Sequence, residues 1–195
     1  MENRILKKRL AGCMLVMMLL MSVPAYAGAP MSAVESTVNR VLDVLRDPKM
    51  KGPAAKSLKT EKLRVIYKDM FDEMEFSRRT FTPEQRREFV DLFEQVLEKT
   101  YLDRILEYSN EKIVFYKESM IADDKAEIQS RVITSSKEVP IYYRMILKNG
   151  KWKVYDVVVE NVSLVQNYRT QFNEILAGGT PEQLLETLRK KVKTH

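Results

Sequence analysis

Cysteine and histidine are almost absent from this sequence, whose 195 residues contain one of each. Cys13 lies in an apolar N-terminal run, and His195 is the last residue, where chain ends are often poorly ordered. The sequence therefore argues against a Ser-His-Asp triad, a Cys-His pair and a zinc site built from these residues. A disulfide within the chain is not expected, because a single cysteine has no partner.

Patterns that bind metals or cofactors are also missing. Calcium sites with oxygen ligands remain possible, but Asp123-Asp124 lacks the alternating acids and the glycine of a calcium loop and is interpreted as a turn. Gly178-Gly179 separates two helical segments and lacks the glycine pattern and the lysine of a phosphate-binding loop. We therefore predict no catalytic residues, no metal site and no cofactor.

No apolar run reaches the roughly 20 residues that a membrane-spanning helix requires. The longest run, residues 10–21, follows four basic residues and precedes the small-residue site Ala25-Tyr26-Ala27, which is the pattern of a secretory signal. We predict a signal peptide over residues 1–27, cleavage after Ala27, and export of one α+β domain over residues 28–195.

The net charge gives little support for a nucleic-acid partner. Removing residues 1–27 takes away four basic residues and Glu2, so the formal net charge falls from +6 to +3. Acidic residues are interleaved with the remaining basic ones, which differs from the clustered basic face of nucleic-acid-binding proteins. We therefore predict no binding to nucleic acid.

Helical spacing of apolar residues predicts three helices in the first part of the exported chain. One stripe covers residues 34–45 and ends before Asp47-Pro48, since proline disfavours helix in the residue before it. A second stripe covers residues 63–74. The capping-box pattern Thr82-Pro83-Glu84-Gln85 begins a third helix, which is predicted to extend to about residue 108.

The apolar period then changes from about 3.6 to 2, which is typical of strands. Four strands are predicted at residues 112–119, 125–134, 139–147 and 151–162, and Asn149-Gly150 is a hairpin signal. Two helices follow, one ending at Gly178-Gly179 and one beginning at the capping box that starts with Thr180. The predicted fold is α+β, with a four-stranded antiparallel meander packed against about five helices.

Two groups of residues in the predicted sheet have alternative interpretations. Asp156 and Glu160 lie on one face of the last strand, where they could act as an acid–base pair or make hydrogen bonds at a partly solvated sheet margin. Tyr143, Trp152 and Tyr155 could stack on a ring-shaped ligand or fill the core. We favour the structural interpretation for both groups.

The motif Trp-x-Val-Tyr-Asp at 152–156 is followed by Glu-x-Val-Ser-Leu at 160–164. Through these motifs, residues 150–172 resemble the MlaC, or toluene-tolerance, family, and the segments at 82–86 and 137–141 support the similarity. It extends over residues 31–193. Asn161 stands where the family often has glycine, and the connection before Thr82 is several residues shorter than usual.

The resemblance implies an NTF2-like, cone-shaped fold with an apolar cavity that holds a phospholipid as cargo. It also implies a periplasmic carrier without enzymatic activity. The implied partners are an outer-membrane lipoprotein/porin complex and an inner-membrane ABC transporter with its substrate-binding subunit, with transient peripheral membrane contact. The alternatives are a secreted interaction or chaperone-like domain with a solid core, and a small-ligand enzyme on a similar fold.

We predict the lipid-binding residues from the apolar helix stripes and from the odd-numbered positions of the last strand. Asp156 and Glu160 are expected to face outward, which turns the odd-numbered neighbours inward. The predicted lining comprises Phe71, Met74, Phe93, Val96, Leu97, Tyr101, Val132, Tyr143, Met145, Val157, Val159, Tyr168 and Phe172.

Overall fold

The computed structural model describes residues 29–72, 77, 80–108 and 110–194. The predicted signal peptide and its cleavage site, the predicted lining residue Met74, and His195 lie outside the described residues. The expectations for these parts of the chain stay predictions.

The described part of the chain contains five long helices. They are α1 (Pro30–Arg46), α2 (Pro53–Met70), α3 (Pro83–Leu106), α4 (Leu164–Gly178) and α5 (Pro181–Thr194). Four of them begin with proline, whose fixed φ suits the first helical turn and whose missing N–H has no partner there in any case.

Both predicted capping boxes are confirmed. At the start of α3, the Gln85 N–H donates to Thr82 Oγ1 at 3.3 Å and the Thr82 N–H donates to Gln85 Oε1 at 3.2 Å. Thr180 and Gln183 make the same two bonds before α5. Helix α1 ends before Asp47-Pro48, as predicted.

Helix α2 ends earlier than the apolar stripe predicted. The stripe continues to residue 74, but the helix ends at Met70 and Phe71 is extended. Phe71 forms a parallel bridge with Val154, and the Asp72 N–H donates to the Val154 carbonyl at 3.0 Å. At Asp72 the backbone therefore makes a hydrogen bond to the sheet instead of continuing the helix. The helical spacing of apolar residues contains no sign of this bond.

The strands form an antiparallel meander in the order β1-β2-β3-β4-β5, as the pattern predicted in outline. Their bounds are β1 (Lys112–Ala122), β2 (Lys125–Ile133), β3 (Glu138–Lys148), β4 (Lys151–Val159) and β5 (Val162–Ser163). Asn149 and Gly150 join β3 to β4 with φ of 51° and 74°, the left-handed conformations of a tight hairpin turn.

The prediction of four strands is wrong, because the sheet of the described residues has five. Glu160 and Asn161 have φ of 49° and 68°, so the chain turns there and β5 folds back to pair with the end of β4. Asparagine tolerates this conformation, but glutamate adopts it uncommonly. With no glycine in the turn, residues 151–162 have the pattern of one strand.

A bulge at Tyr155 decides which side chains of β4 share a face. Met145 pairs with Val154, and Arg144 pairs with Asp156, so Tyr155 is the extra residue. Val154 and Val157 consequently lie on the same face, together with Met145. We call this the inner face; its members are Ile113, Phe115, Ala126, Ile128, Val132, Ile141, Tyr143, Met145, Trp152, Val154, Val157 and Val159.

Helix α1 crosses the inner face. At its start, the Met31 N–H donates to Glu118 Oε2 at 2.9 Å, and Val34 packs with Met145 and Val154. Its last turns lie beside Ile113, where β1 begins. The helix therefore runs across the inner face towards the start of β1.

A second apolar core, the helical core, lies among α3, α4 and α5. Its buried side chains are Phe81, Phe89, Phe93, Val96, Tyr168, Phe172, Leu184, Leu185 and Leu188. The Phe89 ring stacks on Phe81 at 4.7 Å between centroids and meets the edge of Phe172 at 5.5 Å. This core is separate from the cluster on the inner face.

Candidate functional site

The two ends of the inner face differ in how well they are covered. At the packed end, Ala126, Ile128 and Val154 are 0% exposed. At the open end, where β1 begins and β2 ends, Val132 and Ile141 are only partly buried. Apolar side chains thus continue along the face beyond the region that is fully covered by protein.

Tyr143 lies between the two ends of the inner face. Burial raises the pKa of its hydroxyl to about 12, although a hydrogen bond with Ser130 acts in the opposite direction. Its ring lies 6.2 Å from that of Phe115. The side chain is nevertheless only partly buried. Tyr143 therefore lies at the boundary between the packed end and the open end.

An aromatic pair at the end of α2 approaches the same face. Tyr67 stacks on Phe71 with 4.4 Å between ring centroids, and Phe71 packs against the inner-face cluster. Burial, followed by the negative charge of Glu94, raises the pKa of Tyr67. Tyr67 therefore also combines a desolvated hydroxyl with a partly buried side chain.

The structure divides the predicted lining residues into two groups. Phe71, Val132, Tyr143, Met145, Val157 and Val159 belong to the inner face or pack against it. Phe93, Val96, Tyr168 and Phe172 are buried in the helical core, and Leu97 and Tyr101 pack against it, partly buried. Their role in ligand binding stays a prediction.

The long helix α3 does not close the gap between these groups. In the described part of the chain, α3 packs closely along α5, whereas none of its contacts with a strand is comparably close. Leu97 and Tyr101 are thus on the side of the helical core, and Tyr143 and Val157 are on the side of the sheet.

Asp156 anchors the start of α4. Its Oδ2 accepts from Arg144 Nη1 at 3.1 Å and from Ser163 Oγ at 2.6 Å, and its Oδ1 accepts the Val165 N–H at 3.1 Å. The predicted hydrogen bonding is present. The predicted partial solvation is wrong, because β5 and α4 turn back over this carboxylate and leave it 3% exposed.

The other polar and aromatic candidates are dispersed. Glu160 is exposed and pairs with Lys137 at 3.1 Å, separately from the bonds of Asp156. Trp152 is buried in the inner-face cluster. Tyr155 is the bulge residue; burial raises the pKa of its hydroxyl, and the nearby charge of Arg144 acts in the opposite direction. The geometry therefore favours structural roles for these residues.

A cleft of about 450 Å³ lies between α1 and the start of β1. Val38, Leu42, Ile113 and Phe115 provide its apolar surface. Its polar lining consists of Glu35, Asn39, Arg46, Asn110, Glu111 and Lys112. This cleft was not predicted from the sequence, although the apolar stripe of α1 and the alternation at Ile113 and Phe115 contain its apolar residues.

A match to a protein-family model shows the family of this chain. The model of the MlaC protein family matches residues 35–190. The chain belongs to the MlaC family. This confirms the resemblance drawn from residues 31–193.

Two curated relatives match this chain over part of their length. The intermembrane phospholipid transport system binding protein MlaC of Haemophilus influenzae is 33% identical over 89 residues, which are 43% of this chain and 42% of that protein. Toluene tolerance protein ttg2D of Pseudomonas putida is 30% identical over 106 residues, or 53% and 48% of the two chains. The matches thus span about half the length of these relatives.

A solved structure shows that the fold of this MlaC-family chain is shared. The phospholipid-binding protein from Ralstonia solanacearum, solved in complex with a phospholipid, superposes with a TM-score of 0.71. The match covers 85% of this chain and 98% of that one, at 22% sequence identity.

Two further properties of the described residues bear on the site. They contain no group of three or more histidine, cysteine, aspartate or glutamate side chains placed to hold a metal ion. None of the helices among them is both long and apolar enough to cross a membrane.

Proposed function

We propose that this chain is a phospholipid carrier that holds acyl chains against the open end of the inner face. The observation that carries this proposal is the continuation of apolar side chains, among them Val132, Ile141 and Val159, beyond the fully covered part of the sheet. Membership of the MlaC family and the phospholipid in the structural relative from Ralstonia solanacearum support it.

The physical need for such a carrier lies in the solvation of acyl chains. Each buried methylene contributes about 0.8 kcal/mol, so a lipid with about thirty methylenes costs on the order of 20 kcal/mol to expose to water. A phospholipid therefore requires an apolar enclosure to cross an aqueous space. A partly covered apolar face offers that enclosure without any reacting groups.

The proposed lining uses the predicted residues that retain accessible surface. On the sheet side these are Val132, Tyr143, Val157 and Val159, with Phe71 at the end of α2. On the helical side they are Leu97 and Tyr101. The fully packed predicted residues Phe93, Val96, Met145, Tyr168 and Phe172 would support this lining from behind.

The proposal places the protein in the periplasm. Residues 1–27 would direct export, and the domain over residues 28–195 would move lipid between an outer-membrane lipoprotein/porin complex and an inner-membrane ABC transporter with its substrate-binding subunit. Contact with either membrane would be transient, and neither a cofactor nor a chemical step is part of the proposed cycle. N-terminal sequencing of the exported protein should give Gly28 as the first residue. A start at Cys13, the cysteine of the lipoprotein-type pattern Leu10-Ala11-Gly12-Cys13, would refute the predicted cleavage.

Solvent extraction of the exported protein tests the proposed cargo. Mass spectrometry of the extract should detect about one diacyl phospholipid per protein molecule. Val132→Trp fills the open end and should lower this amount clearly. Val65→Trp is the matched control, because Val65 is 59% exposed on α2, outside the sheet. An extract free of phospholipid from wild-type protein would favour the interaction domain instead.

Transfer between vesicles tests the carrier role separately. Delipidated protein should accelerate movement of a labelled phospholipid from donor to acceptor vesicles, and Val132→Trp should reduce this acceleration. Binding without transfer would limit the chain to lipid storage.

A further inference from the structure

We propose that the cleft between α1 and β1 holds the phosphate of the lipid headgroup, with Arg46 as its cationic ligand. This inference rests on the proposed function, because it assigns the polar part of the same lipid. The cleft would be a phosphodiester site, and its position would orient the bound lipid relative to the sheet. The acyl chains would run from this cleft, at the β1 edge of the open end, across the neighbouring strands of the inner face.

Arg46 is held in place by a neutral partner. Its Nη2 donates to the Tyr108 hydroxyl at 2.5 Å, and its guanidinium lies over the Tyr108 ring at 5.4 Å from the centroid. The Tyr108 hydroxyl in turn donates to the Glu111 carbonyl at 2.6 Å. This chain of contacts orients the guanidinium without neutralising its charge. A planar cation with several donors suits a phosphate oxygen pair.

Most other arginines of the described chain are matched to carboxylates, and Arg46 is not. Arg40, Arg64, Arg131, Arg144 and Arg189 each form an ion pair with an aspartate or glutamate. Among the described residues, Arg46 and Lys112 form none. Two cations on the cleft therefore keep their charge for a ligand.

The apolar surface of the cleft continues into the proposed acyl site. Phe115 lines the cleft and lies 6.2 Å from the Tyr143 ring. Ile113 also lines the cleft, and it pairs with Val132 on the neighbouring strand. A molecule with a phosphate at Arg46 can thus place its apolar part on the inner face without crossing a polar barrier.

The carboxylates on the cleft restrict the charge of the headgroup. Glu35 lies eleven residues before Arg46 on α1, roughly 16 Å along the helix axis, which is beyond the screening length of about 8 Å. The Glu111 carboxylate also lines the cleft and accepts the Asn110 N–H at 3.2 Å. Its charge opposes a second negative charge on the ligand. The cleft therefore favours a phosphodiester, with one charge, over a phosphomonoester, with about −1.5 to −2 at pH 7.

Paired lipids with the same tails test this assignment in delipidated full-length mature protein. The probes are a phosphatidylethanolamine and a diacylglycerol with identical acyl chains, the second of which lacks the phosphate. Arg46→Gln should weaken phosphatidylethanolamine binding about 3- to 10-fold and leave diacylglycerol binding unchanged. Arg46→Lys keeps the charge but loses the planar fork, and it should recover part of the affinity.

Two controls make the outcome decisive. Lys151→Gln removes an exposed cation at the start of β4, at the other end of the sheet, and should change neither affinity. Lys112→Gln tests the second cation of the cleft, and it replaces Arg46→Gln as the test if that variant is unstable. It should weaken the binding of phosphatidylethanolamine and leave the binding of diacylglycerol unchanged. Equal binding of phosphatidylethanolamine by wild type, Arg46→Gln and Lys112→Gln would overturn the assignment.

Further outcomes separate this inference from the proposed function. Loss of both lipids in the Arg46 and Lys112 variants would overturn the phosphate site, because it would indicate damage to the apolar lining. Displacement of labelled phosphatidylethanolamine by inorganic phosphate alone would show that the cleft binds free phosphate. It would overturn the assignment of the cleft to a lipid headgroup. If wild-type protein binds neither lipid, the proposed function itself fails.

Discussion

The helical core and the open end of the inner face contain the same kinds of apolar residue but are filled to different degrees. In the helical core, Phe89, Leu184 and Leu185 are each 0% exposed. At the open end, Val132 and Ile141 keep accessible surface. The helical core is enclosed by three helices that cover one another, whereas α1 is the element seen to cross the inner face. The residue types therefore do not distinguish a core from a ligand site. The distinction depends on whether another layer of structure covers the apolar side chains.

Truncation of one leucine and one isoleucine should show the largest difference between the two regions. Leu185→Ala leaves a cavity in a close-packed core and should cost about 2–5 kcal/mol of unfolding free energy. Ile141→Ala, which removes an isomeric side chain at the open end, should cost about half as much. Urea unfolding of delipidated protein measures both. Equal costs would contradict the distinction between a filled core and an open face.

The titration of Tyr143 locates the boundary between the packed and open ends. Burial raises the pKa of this hydroxyl from 10.0 to about 12 in the folded protein. The unfolded chain ionises first, so the stability that this group contributes is complete below pH 10 and is lost as the pH rises through 12. The loss should be on the order of 2–3 kcal/mol.

Tyr143→Phe isolates this contribution from the titration of lysines. The unfolding free energy of wild type relative to Tyr143→Phe should be constant from pH 8 to 10 and should decline between pH 10 and 12. A constant difference over the whole range would place the hydroxyl in water and remove Tyr143 from the interior.

Enlarging one valine in each region sharpens the comparison further. Val96 is 5% exposed in the helical core, so Val96→Trp should cost about 1–3 kcal/mol through overpacking. Val132→Trp should change the stability of delipidated protein by less than about 1 kcal/mol, because the new ring can occupy the open end. Thermal unfolding of both variants checks this. Severe unfolding of Val132→Trp would show that the open end is an ordinary core.

The smallest expected effect concerns the start of α3, which supports the helical core. Thr82→Ala removes the hydroxyl that accepts the Gln85 N–H and should cost about 1 kcal/mol without changing lipid content. Thr187→Ala, within α5, should be nearly neutral, because alanine is a better helix former there. Urea unfolding and lipid extraction of both variants provide the two readings. A fall in lipid content for Thr82→Ala would couple the helical core to the lipid site.

Local signals explain how much of the fold could be predicted from the sequence. The capping boxes at Thr82 and Thr180, the Asn149-Gly150 turn and the change of apolar period gave the helices and the antiparallel meander. The turn at Glu160 and Asn161 carries no glycine, and the end of α2 depends on a backbone bond to Val154. Such features result from contacts between distant segments, which no local pattern contains.

The site was less predictable than the fold. Strict alternation along β4 would separate Val154 from Val157, and the bulge at Tyr155 puts them on one face. Asp156 was expected to be partly solvated, but its burial depends on β5 and α4 folding over it. The cleft at Arg46 brings together α1 and β1, which are far apart in sequence. Periodicity could propose its apolar residues, but not their juxtaposition.

A crystal structure of the exported protein, purified without delipidation, tests the central claim most directly. The account predicts acyl-chain density in contact with Val132, Tyr143 and Val157, with the helical core around Phe89 free of ligand. Density for bound phospholipid in another place, with side chains closing the open end of the inner face, would contradict it.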